Sequence, residues 1–281
     1  MKEFKGDKSK RSVEIFSNIE ILKTSFRSYL NKKRIFFTEL FLFLPIVIPL
    51  FFIYRELSGG VNIWSSAERD AVSFFINNIY GVYLSILLPL TIAIFASYTI
   101  SDEFKNKTIF YLLNRPVSRA WIVIYKYLSL IPASIVITLP PIIANMIFYG
   151  LADPQTNWGK VLEWLWNLSV AAFWYALIIM AIVVVFSFIT KKAIILSIVY
   201  ALGYETFGYQ VLSPFFDNLR FAFGSYYIQC YLVHTISEYT LSPLSNLSKF
   251  LPAWNAIIII ILIIGFCLTL AYIILENKEY R

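Results

Sequence analysis

Six apolar stretches, each close to 20 residues or longer, recur along the chain near 36–54, 74–100, 121–150, 165–189, 193–212 and 253–275. A helix rises about 1.5 Å per residue, so crossing a hydrocarbon core of about 30 Å takes roughly 20 such residues. The expected fold is therefore an all-α polytopic membrane protein with about six transmembrane helices. Composition agrees, with 59% hydrophobic and 15% charged residues where a soluble domain carries roughly half and a quarter. No hydrophilic block of domain size interrupts the runs, so residues 1–281 read as one transmembrane domain.

Basic residues give that bundle an orientation. Of the 24 Lys and Arg, nineteen fall in segments 1–35, 101–126, 190–192 and 276–281, and only Arg55, Arg69, Lys160, Arg220 and Lys249 lie in the others. The positive-inside rule then predicts both termini in the cytoplasm, with the protein in the cell membrane. The net charge of +7 follows from this topology, and no nucleic-acid partner is expected. Within 1–35, Ile15, Phe16, Ile19, Leu22, Phe26, Tyr29 and Leu30 recur at helical spacing and lead into Lys32, Lys33 and Arg34. They predict an amphipathic helix lying on the inner membrane surface or packing on the protein's own loops. Prolines at 45, 49, 89, 132, 140 and 141 predict kinks, tolerated where neighbours satisfy the freed carbonyls.

The chain carries no Gly-x-x-x-x-Gly-Lys-Ser/Thr loop, so it has no usual cradle for a nucleotide, and its single histidine, His234, argues against a zinc helix. Cys230, placed in an external loop, and Cys267, in a span, are too few for a disulfide framework. No cofactor or metal is expected in this chain. Glu205 is the clearly embedded carboxylate. A charge near the bilayer centre costs about 2.5–3.5 kcal/mol on insertion scales. Glu205 and the nearby Tyr209 are accordingly candidates for a substrate path, the alternative for Glu205 being a structural hydrogen-bonding role. The external loop 213–252 is rich in aromatics, and its 225–236 segment, too short to span, reads as interfacial or re-entrant. Asn246 heads a glycosylation pattern there.

Between spans two and three the loop 101–120 predicts a short cytoplasmic helix. Ser101 is suited to cap it, Asp102 and Glu103 suit its first turn, and Pro116 stops it. Ser118 is placed to cap the next helix, and Phe104, Ile109, Tyr111, Leu112 and Leu113 offer apolar surface to a partner. The series Glu103, Thr108, Leu112, Leu113, Pro116, Val117, Ser118, Arg119 and Lys126 resembles the signature loop of the ABC type-two (ABC-2 type) permeases, departing from it with Lys107 where Gly commonly precedes the Thr.

The resemblance implies a transport subunit rather than an enzyme. A short coupling helix would dock into a separate ATP-binding subunit, present in two copies, which binds ATP and Mg. A second permease copy or a sister permease would complete the assembly in the lipid bilayer. It implies Glu103, Phe104 and Thr108 as coupling residues, with Arg115 and Arg119 as charge partners. It also implies, most often, an exporter, here of an amphipathic or hydrophobic substrate. The competing class is a membrane-embedded enzyme or assembly factor with no ATPase partner.

Overall fold

The computed structural model describes residues 32–58, 80–105, 118–152, 157–190, 192–212, 215, 217–236 and 251–277. The amphipathic stretch ahead of residue 32, Thr108, Arg115 and Asn246 lie outside them. Regular structure among the described residues is helical throughout.

The first apolar stretch forms α1 (Lys32–Leu42) and α2 (Val47–Leu57), joined through a 3-10 turn at Leu44–Ile46. Pro45 lies in that turn and cannot continue the helical hydrogen-bond ladder, and the two pieces meet at 42°. The second stretch forms α3, in which Tyr80–Val82, a π-helical turn Tyr83–Leu87 and Leu88–Lys105 run on as one helix. Then follow α4 (Arg119–Leu151) and α5 (Trp158–Ile189). The sixth helix, α6, starts as Ala193–Ile198 and continues in π geometry over Val199–Leu212. After a 3-10 segment, Asp217–Ala222, come the short α7 (Gly224–Thr235) and the long α8 (Ala253–Asn277).

Four of these helices are long and apolar enough to cross a membrane unbroken, and the bent α1–α2 pair makes a fifth. The remaining predicted span, 193–212, is helical as expected, but its apolar part covers only Ala193–Tyr209. Gly203, Glu205, Gly208 and Gln210 dilute its second half. At the centre stands α5, packed by α3, α4 and α8. Its most apolar 18-residue stretch is 72% buried, against 22% for that of α8, which lies at the periphery. Buried tyrosines pin the neighbours to it: Tyr80 of α3 donates to the Leu168 carbonyl at 2.6 Å, and Tyr127 of α4 to that of Leu177 at 3.2 Å.

Two expected helix caps are corrected. Ser101 caps no new helix, because α3 has no Pro or Gly between Leu90 and Lys105 and runs through it. Ser118 does occupy the N-cap position of α4, with extended backbone, yet its side chain makes no capping bond. Asn157 does cap, accepting from the Gly159 amide at 3.0 Å, and α5 begins seven residues before the predicted 165. Cys230, expected in a loop, is buried within α7 and, like Cys267, is a free thiol.

The proline in α3 shows how a broken ladder is repaired. Pro89 has no N–H to offer Ser85 four residues earlier. The Ser85 carbonyl instead lies 2.5 Å from the Thr206 hydroxyl of α6, whose single hydrogen is shared with the Ala201 carbonyl at 2.9 Å. Thus the π turn of α3 is joined to the π segment of α6. Thr206→Val keeps the shape and deletes the hydroxyl, so it is expected to cost about 1–2 kcal/mol, the penalty of a buried carbonyl left unpaired. Thr206→Ser should recover most of it. A melting point for the valine variant equal to wild type would mean that Ser85 is satisfied by another route.

Candidate functional site

Glu205 lies in the π segment of α6 and is 1% exposed. Its Oε1 accepts from the Tyr200 hydroxyl and from the Gly224 amide at 3.0 Å. Its Oε2 accepts from the Ser225 amide at 3.0 Å and from the Tyr175 hydroxyl at 3.3 Å. Gly224 and Ser225 open α7, so the carboxylate sits on the amides that a helix start leaves without intrahelical partners, at its positive end. Hydrogen bonds to a charged group contribute about 1.5–3 kcal/mol each. Four of them outweigh the roughly 3 kcal/mol that a charge at bilayer depth costs. Glu205 is therefore fully engaged, with both carboxyl oxygens accepting two hydrogen bonds each.

The position of α7 explains why an acid is needed there. A methyl added to Gly224 would meet Ile178 Cγ2 of α5 at 3.2 Å, and at the other end of α7 the Thr235 carbonyl accepts from Asn167 Nδ2 of α5 at 3.3 Å. Eleven residues separate the two contacts on each helix, ~16 Å of rise. So α7 lies antiparallel beside the middle third of α5, between Ile178 and Asn167. It is a half-helix, too short to be a span, whose N-terminus is buried in the bundle, where unpaired amides are costly. The 225–236 segment is thus a short helix packed along α5.

An aromatic wall covers the approach to the cap. Phe223, 1% exposed, packs on Tyr204 at 4.7 Å and on Tyr209 at 5.9 Å between ring centroids. Tyr209 donates to Gln229 of α7. Glu205 and Tyr209 consequently grip the same half-helix. Gly208 supplies the room, since a Cβ there would lie 2.8 Å from the Phe223 ring. Beside Tyr200 and Tyr204, Phe186, Leu196, Val199 and Gly203 line an apolar cavity of about 420 Å³ on the outer face of α6.

The coupling candidates lie elsewhere. Glu103 and Phe104 are on the last described turn of α3, and Arg119 opens α4. Arg119 Nη1 donates to the carbonyls of Glu276 at 2.7 Å and Leu275 at 3.3 Å in the last turn of α8. The start of α4 and the end of α8 therefore share one end of the bundle, remote from the half-helix. Lys126, one of the signature residues, is buried at 2% exposure. Residue order alone shows none of the long-range pairings of Thr206, Asn167 or Arg119, which are 68 to 157 positions apart. Proline at 89 was the available hint for the first.

Comparison with known proteins returns no match among curated proteins. A family model, described as ABC-2 family transporter protein, matches residues 30–208, well over half of the chain. The match runs from α1 to three residues beyond Glu205 and ends before the half-helix. With an all-helical, multi-pass bundle behind it, that match makes this chain a member of the ABC-2 transporter family, the membrane permease of an ABC transporter.

Proposed function

We propose that the chain is the export permease of an ATP-driven transporter, moving an amphipathic or hydrophobic substrate and coupled through the 101–120 loop to two copies of a separate ATP-binding subunit. ATP and Mg bind to that partner, and a second copy of this chain or a sister permease completes the pathway. Both termini and the loop face the cytoplasm, as the distribution of Lys and Arg favours. The observation that carries the reading is the continuity of α3. Glu103 and Phe104 ride on the same rigid helix whose π turn is bonded, through Ser85 and Thr206, to the segment that holds Glu205. A push on the loop thereby reaches the middle of the bundle along one rod. Glu205 and Tyr209 stand at the outer side of the substrate path, where they keep the half-helix in place.

Charge reversal tests the loop. Glu103→Lys is expected to lower substrate-stimulated ATP hydrolysis roughly fivefold or more in the purified complex, the scale of a coupling free energy of 1–3 kcal/mol, with membrane insertion unchanged. Hydrolysis that still responds fully to substrate would remove Glu103 from the coupling path. Repeated purification from native membranes in mild detergent without any ATP-binding subunit would overturn the function itself.

A further inference from the structure

Arg119 is oddly placed for its own helix. It is the first residue of α4, where the helix dipole presents positive potential and disfavours a cation. Its guanidinium instead reaches the opposite end of another helix. Two of the last carbonyls of α8, those of Leu275 and Glu276, accept from Nη1 at 3.3 and 2.7 Å. Those carbonyls belong to the final four that a helix leaves unpaired, at its negative end. The sign of both dipoles therefore says that Arg119 serves α8 rather than α4. The need is clear from burial: α8 is the least embedded of the long helices, with 22% of its most apolar stretch covered. It packs along α5 and α7, so its position bears on the half-helix as well.

We infer that Arg119 is a positioning residue which clamps the last turn of α8 to the first turn of α4, so that a displacement of the coupling loop carries α8 with it. The inference assigns this arginine an internal partner in place of a charge partner on the ATP-binding subunit, and it rests on the ATP-coupled reading above. Only Ser118 separates Arg119 from Val117 in the sequence, and its extended backbone leaves α4 to begin abruptly at the arginine. The loop thus acts at the root of the clamp.

Dipolar EPR on the full complex with its ATP-binding subunit in nanodiscs tests this, in a Cys230→Ser, Cys267→Ala background. One spin-label pair spans Ala120→Cys and Asn277→Cys across the clamp. A reference pair spans Ala120→Cys and Lys192→Cys at the same end of the bundle. With Arg119 present, ATP binding is expected to move the reference pair by about 2 Å, the usual scale of helix shifts at switching interfaces, and to leave the clamp pair unchanged. In Arg119→Ala, or in Arg119→Met if the alanine variant fails to fold, the clamp pair should change with ATP by a similar amount, and Arg119→Lys should restore its constancy. A clamp pair that stays fixed without the guanidinium, while the reference pair still responds, overturns the clamp alone. A reference pair blind to ATP overturns the ATP-coupled reading and the clamp together.

Discussion

Replacing Glu205 by alanine is expected to lower the stability of the purified protein by about 3–5 kcal/mol and to release the half-helix α7 from the bundle. The carboxylate is the shared acceptor of two tyrosine hydroxyls and two backbone amides. Its removal leaves four buried donors facing a void. A buried group stripped of its partner costs about 1–3 kcal/mol. The sum is not fully additive, because the tyrosines can rotate toward other acceptors while the amides of Gly224 and Ser225 cannot. At ~2–3 °C per kcal/mol for a chain of this size, the melting point should fall by roughly 10 °C. Protease cleavage near 224–235 should appear at the same time. Glu205→Gln retains one acceptor and should lie between the two. A melting point for the alanine variant within a degree of wild type, with α7 still protected, would show that the cap does not hold the half-helix.

The second large effect is expected from adding a single methyl. In Gly208→Ala the new Cβ would lie 2.8 Å from Phe223 Cε1 and 3.1 Å from Cζ. The ring has little freedom to retreat, being buried between Tyr204 and Tyr209. Overpacking of this kind costs about 1–3 kcal/mol, and the locked ring places Gly208→Ala at the upper end, with α7 displaced because Phe223 immediately precedes it. A double-mutant cycle isolates the cause. In a Phe223→Leu background the same methyl should cost less than about 1 kcal/mol. Equal costs in the two backgrounds would trace the effect to the helix backbone of α6 and not to the ring.

The long helices were legible in the sequence because each depends only on a run of side chains compatible with lipid. The starts of α4 and α8 fall within two residues of those predicted, and α5 extends earlier because Trp158 to Trp164 mixes Lys160 and Glu163 into its apolar pattern. Ser101 misled because capping residues announce a helix only where the preceding chain is not already helical. Embedding of Glu205 was legible, and so was a short segment at 225–236. Their contact was not, since a carboxylate and the amides that it caps are 19 and 20 residues apart with a 3-10 segment between them. Arg119 was recognisable as part of a family pattern, yet its partners are backbone carbonyls. Carbonyls carry no side-chain signature, so no reading of residue types finds them.

The half-helix also imposes an order on assembly in time. Twelve residues that include Gln229, His234 and several tyrosines are too short to enter a bilayer as an independent span. α7 therefore waits for α5 to supply Asn167, Ile178 and Tyr175, for α6 to present Glu205, and for α8 to close its other side. A chain interrupted just after α6 leaves the Glu205 carboxyl without the Gly224 and Ser225 amides that it accepts from. The join between α6 and α7 is thus completed only once α8 is in place.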